Sequence, residues 1–235
     1  MKIPSVIFAI AVLILVETGF AQSFQNLGFE SATVPPGSFA QAFPGWTGYI
    51  GGVQQSSVLY NLSYSDTAAI SILDQGWTNS PGYAVVTHGG VIQGHFTALL
   101  MSGIAPGAGV PADTSIAQTG LVPIGTQTLQ FKAYMDYIGL SGSFGVTLGG
   151  QTLSLTPLQS GSNYTLYGAD ISQWSGQSAQ LAFTVFAQRP HIGDTYFYLD
   201  SIDFSTQPIP EPSGWALLCI GTLLLGFFRR RDTSR

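Results

Sequence analysis

The 235-residue chain is poor in charge, poorer still in basic charge, and almost without cysteine. Only 8% of its residues are Asp, Glu, Lys or Arg. Between residues 22 and 206 two cations, Lys132 and Arg189, stand against nine acids: Glu30, Asp66, Asp74, Asp113, Asp136, Asp170, Asp194, Asp200 and Asp203. Phosphate binding needs Lys and Arg in number, so this balance excludes a nucleic-acid partner. The single cysteine, Cys219, lies in an apolar run near the C-terminus, so the stretch before it can hold no disulfide. Long amphipathic helices are missing too: no window of a dozen residues keeps an apolar 3.6-residue period between caps. Catalytic signatures are absent, with no HExxH, no Gly-x-Ser-x-Gly and no glycine-rich phosphate loop followed by Lys. His88, His95 and His191 have no zinc-ligand spacing. The nine scattered acids offer no recognisable pair of the kind a glycosidase uses, so the chain is not expected to be an enzyme.

What is present begins at the ends. Lys2, an apolar stretch over residues 6–16 and the small-residue run Gly19-Phe20-Ala21 predict a secretory signal peptide over residues 1–21, with a mature chain starting at Gln22. The apolar stretch is too short to span a bilayer, which disfavours the alternative of an uncleaved anchor. Export across the inner membrane follows from this reading.

Residues 207–235 hold three parts in fixed order: Pro210-Glu211-Pro212, an uncharged apolar run over residues 215–228, and Arg229-Arg230-Arg231. Pro-Glu-Pro cannot join a helix or a sheet ladder and stays extended. The apolar run suits a transmembrane helix, although at about 1.5 Å per residue it falls short of a hydrocarbon core about 30 Å thick. Arginines after it hold that end in the cytoplasm. The arrangement resembles the PEP-CTERM sorting signal of Gram-negative bacteria. The resemblance implies an exosortase-type membrane enzyme as partner, membrane anchoring before processing, and release to the cell surface or the exopolysaccharide-rich matrix. The alternative is a plain single-pass anchor that nothing cleaves.

The stretch between the signals, residues 22–206, has the length of one domain and is long enough to bury its own core. Its pattern predicts strand after strand. Residues 128–134 alternate, with Leu129, Phe131 and Ala133 on one face and Gln130, Lys132 and Tyr134 on the other. Residues 143–148 and 153–155 flank Gly149-Gly150, a hairpin signal. Residues 180–186 alternate again, and residues 196–204 form the last strand. At most a short helical turn fits residues 170–174. Short strands separated by Gly and Pro predict an all-β fold, an antiparallel β-sandwich.

Three stretches sharpen that expectation: Asn26-Leu27-Gly28-Phe29-Glu30 followed by Pro44-Gly45-Trp46, residues 114–119, and the closing Tyr196-Phe197-Tyr198-Leu199-Asp200-Ser201-Ile202-Asp203-Phe204. Together they resemble the galactose-binding-like jelly roll of carbohydrate-binding modules. The departure is Ser201, where that family carries a second Asp. The resemblance implies a structural calcium ion near the first and last strands, with Glu30 and Asp200 as its carboxylate ligands; such hard oxygen donors suit Ca²⁺. Strand periodicity places Asp200 and Tyr198 on the face of Ile202 and Phe204, hence inward. A carboxylate there must be paired, metal-bound or hydrogen-bonded. The alternative to calcium is therefore that Asp200 accepts backbone N–H bonds at the strand end.

Flat rings are the candidate sugar platform. Trp46, Tyr49, Tyr60, Tyr64, Trp77, Tyr83 and Trp174 are available, with Gln54, Gln55 and Asn79 nearby. Most rings in a sandwich are core or rim residues. Trp46 is expected to pack inside, and Trp77, with Tyr83, is the stronger ligand candidate. The functional expectation is an exported surface or extracellular-matrix protein that binds polysaccharide. The rivals are a hydrolase acting on envelope or exopolysaccharide glycan and, more remotely, an ice-binding protein.

Overall fold

A computed structural model describes residues 22–77, 90–139, 142–189 and 193–209. The expected signal peptide (1–21), Tyr83, Asn79, His88, His191 and the tail with Pro210, Glu211, Pro212, Arg229, Arg230 and Arg231 lie outside the described residues. Among the described residues no helix is long and apolar enough to cross a membrane.

The described chain is a β-sandwich with one four-residue helix, α1 (Phe39–Ala42), and a single 3-10 turn at Ser172–Trp174. One sheet has six strands, in the order β10 (Gln151–Thr152), β9 (Phe144–Leu148), β13 (Ser178–Val185), β7 (Thr114–Leu121), β1 (Thr47–Ile50) and β2 (Val53–Gln54). The other has eight: β11 (Thr156–Ser160), β12 (Thr165–Asp170), β8 (Thr128–Tyr137), β14 (Thr195–Ser205), β5 (Phe96–Ile104), β4 (Ala69–Asp74) and β3 (Leu59–Tyr60), with β6 (Pro111–Ala112) paired to β5. Among the described residues the strands of both sheets pair antiparallel except β3 with β4.

Alternation decides which residues meet between the sheets. Leu129, Phe131 and Ala133 of β8 and Leu181, Phe183 and Val185 of β13 point inward and are buried, as their period-two pattern requires. Phe131 and Phe183 meet edge-to-face with ring centroids 5.1 Å apart. Trp46 closes one end of this core against Phe29, ring centroids 5.8 Å apart. Gly149-Gly150 turns the expected hairpin, but the returning strand is Gln151–Thr152, not residues 153–155; Leu153 instead drops into the core.

Two expectations are corrected. Residues 26–30 are not a strand. Asn26 and Phe29 adopt φ of 51° and 60°, left-handed values outside the extended region, and the segment forms a turn fastened to β14 where Ile202 N–H donates to the Leu27 carbonyl at 2.9 Å. Asp200 and Tyr198 do not share a face with Ile202. The β8–β14 register shifts between Asp200 and Asp203, and Ser201 sits at φ 49°. This bulge inserts one residue and reverses the parity of the strand. Phe197, Leu199 and Ile202 face the main core, whereas Tyr196 and Tyr198 belong to a second apolar cluster with Leu73, Leu99 and Met101 on the outer side of the eight-stranded sheet.

Candidate functional site

The bulge places Asp200 in a closed environment on that outer side. Asp200 is 1% exposed. Its Oδ2 accepts from the Gln93 N–H at 3.0 Å and the Thr97 hydroxyl at 2.8 Å, and its Oδ1 from the Ser201 N–H at 2.6 Å. Burial raises its pKa to about 6, against the opposing pull of the Thr97, Gln93 and Ser201 donors. Glu30 grips the same segment from the other side. Its carboxylate takes the His95 N–H at 2.9 and 3.1 Å and the Phe96 N–H at 3.3 Å. A side chain at Gly94 would run into that carboxylate, and Gly94 also holds a φ of +67°, so glycine is required there twice over.

The structure therefore brings Glu30 and Asp200 together. A Cβ at Gly28 would lie 3.9 Å from Asp200 Oδ1 and 3.9 Å from Glu30 Cγ. Calcium takes six to eight oxygen ligands. Among the described residues no group of three or more His, Cys, Asp or Glu gathers there, and the contacts of these two carboxylates are to N–H and O–H donors. Lys132 lies opposite Asp200 in the β8–β14 ladder; its Nζ donates to Gln93 Oε1 and stands 4.7 Å from the Tyr164 ring centroid.

The rings scatter. Trp46 and Trp174 are buried in the core, and the Tyr60 hydroxyl donates to Asp74 at 2.5 Å. Trp77 packs, half-buried, against the second apolar cluster. Among the described residues Tyr64 is the candidate ring left open to solvent, 45% exposed. Its carbonyl accepts from the Tyr196 hydroxyl at 3.1 Å, which ties its loop to β14.

Tyr64 borders a groove that the sequence did not announce. A cavity of about 490 Å³ opens between the β1–β2 turn and the β5–β6 connection, with Ile50 and Ala112 as floor and Val53, Val110, Asp113 and Arg189 around it. A smaller hollow of about 160 Å³ reaches from it to Tyr64, the two sharing Ile50, Gln55 and Pro106. Arg189 Nη2 lies 3.1 Å from Asp113 Oδ1, which also accepts the Ala187 N–H at 2.9 Å. Arg189 and Asp113 are 76 positions apart in the chain, so no local motif could have pointed to them. The adjacency of Tyr64 and Gln55 to this groove is the part the list of candidate rings and amides contained.

The groove occupies one pole of the sandwich. Ile50 pairs with Thr114 at the start of β7, and β7 ends at Leu121, whose N–H donates to the Gln22 carbonyl. Gln207 lies at that same far pole, its carbonyl accepting from the Thr128 hydroxyl at 2.6 Å. Eight strand residues set the groove and the two described ends of the chain roughly 25 Å apart.

No protein-family model and no curated protein matches the chain. Among solved structures it is similar to the carbohydrate-binding module TmCBM61 in complex with β-1,4-galactotriose. Identity is 11% and the TM-score 0.39, over 76% of this chain and 97% of that one.

Proposed function

We propose that this chain is an exported surface or extracellular-matrix protein whose β-sandwich binds polysaccharide in the groove at one pole. The observation that carries the reading is the groove itself. It joins an apolar floor, Ile50 and Ala112, to a fixed donor–acceptor pair, Arg189 and Asp113, and to an exposed ring, Tyr64. Sugar rings present C–H faces and hydroxyls together, and such a surface answers both. The reading is of binding rather than hydrolysis. Glycoside hydrolysis ordinarily uses two carboxylates flanking the scissile bond, and Asp113 is the one carboxylate among the described residues of the groove.

The sorting part of the proposal rests on the sequence of residues 207–235. Pro210-Glu211-Pro212, the apolar run and the arginines make the chain a substrate for an exosortase-type enzyme, with the membrane as a station on the way. Because Gln22 and Gln207 lie at the pole opposite the groove, a tail held at the membrane would turn the groove outward.

Affinity electrophoresis of the full chain through gels containing soluble polysaccharides tests the binding. Retardation by at least one polysaccharide, lost in Tyr64→Ala, is the expected result. Equal mobility in every gel would overturn the reading.

A further inference from the structure

We infer that the glycan held in the groove is uncharged, and that Arg189 and Asp113 act as one donor–acceptor unit reading its hydroxyls; this deepens the polysaccharide-binding reading and rests on it. A lone exposed arginine in a cavity would suggest an acidic sugar. Three observations turn the inference the other way.

The first is pairing. Arg189 Nη2 lies 3.1 Å from Asp113 Oδ1, and Asp113 is itself anchored by the Ala187 N–H at 2.9 Å. The charge on Arg189 is thereby offset where a ligand would meet it. A uronate carboxylate entering the groove would compete with a carboxylate already in place and held by the backbone.

The second is the surrounding field. Of the two cations between residues 22 and 206, Lys132 is engaged by Gln93 and Tyr164 on another part of the molecule. Nine acids stand against these two cations, and a polyanion approaching the domain would meet that net negative charge at long range. Uncharged sugar suffers no such repulsion.

The third is the chemistry left on offer. The Arg189 side chain is 58% exposed and that of Asp113 34% exposed. The guanidinium keeps N–H groups beyond the one pointed at Asp113, and Asp113 keeps its Oδ2; among the described residues neither has another partner. Neighbouring sugar hydroxyls each donate and accept, so a donor and an acceptor fixed side by side match them. Ile50, Ala112 and the aliphatic rim of Val53 and Val110 meet the C–H faces.

The test uses the full chain against a panel of uncharged polymers (β-1,4-galactan, β-glucans) and uronate polymers (polygalacturonate, alginate), read by affinity electrophoresis and calorimetry. The expected result is binding to an uncharged polymer that changes by less than about twofold between roughly 50 and 500 mM NaCl, since screening acts on net charge. Arg189→Gln, Arg189→Lys and Asp113→Asn should each weaken it about tenfold while leaving the melting temperature near the parent's. Arg189→Lys keeps the charge and loses the planar fork, so its failure separates paired reading from simple attraction. Binding of a uronate polymer that fades with salt and survives in Arg189→Lys would overturn the inference and leave the groove reading intact. Ala108→Trp at the rim should block any ligand of the groove. Uncharged-polymer binding indifferent to Ala108→Trp, Arg189→Gln and Asp113→Asn would overturn both, as would no binding to any polymer.

Discussion

Asp200 and Ile202, two residues apart on β14, face opposite sides of the eight-stranded sheet. Ile202 is buried between the sheets, and Asp200 is buried outside them under residues 93–97. The residue between them, Ser201 at φ 49°, makes this possible. Without the bulge either Asp200 would enter an apolar core or Ile202 would leave it.

That relationship sets the first prediction. Ser201→Gly should be tolerated, because glycine reaches the left-handed region without a Cβ penalty. Ser201→Val should cost about 1–3 kcal/mol, because a β-branched residue resists that conformation. Urea denaturation of the two variants compares them directly. Equal stability would show that the register does not depend on Ser201.

Asp200 also makes stability pH-dependent. Burial raises its pKa in the folded chain to about 6, well above the usual carboxylate range. The folded state therefore binds the proton more tightly than the unfolded state between about pH 4 and about pH 6. Stability from this group is fully present below about pH 4, falls as pH rises toward about 6, and is level above it. Asp200→Asn should remove this slope. Denaturation midpoints at pH 4, 5, 6 and 7 in the presence of a chelator decide it; a midpoint that rises for the parent relative to Asp200→Asn over that window would reverse the assignment.

A calcium ion of the kind the jelly-roll resemblance implies would make the opposite demand on the same group. Ca²⁺ between Glu30 and Asp200 would favour the charged carboxylates and stabilise only the folded chain. Added Ca²⁺ should then raise the melting temperature and abolish the acidic slope, and Glu30→Gln and Asp200→Ala should each lose both responses. If neither chelator nor Ca²⁺ moves the melting temperature, the N–H donors of Gln93, His95 and Phe96 are what hold these carboxylates.

The tail carries the fourth prediction. In a host with an exosortase-type enzyme the mature protein should end before the apolar run of residues 215–228, as read by mass spectrometry of its C-terminus. A chain still ending at Arg235 in that host would leave the plain anchor.

By itself the sequence determined the class of the fold and its inward faces. Leu129, Phe131, Leu181 and Phe183 announced themselves because strand periodicity is local and Gly-Gly turns are local. The tertiary structure alone decided three things. It decided which face Asp200 occupies, since a bulge depends on what a strand pairs with and leaves no mark in the alternation of its own residues. It decided that residues 26–30 turn rather than extend, because contact with β14 overrides their propensity. And it decided the groove. Arg189 and Asp113 meet because β13 and β7 are paired in one sheet, Val185 opposite Thr114, and that pairing of strands far apart in the chain is not a property of either stretch alone.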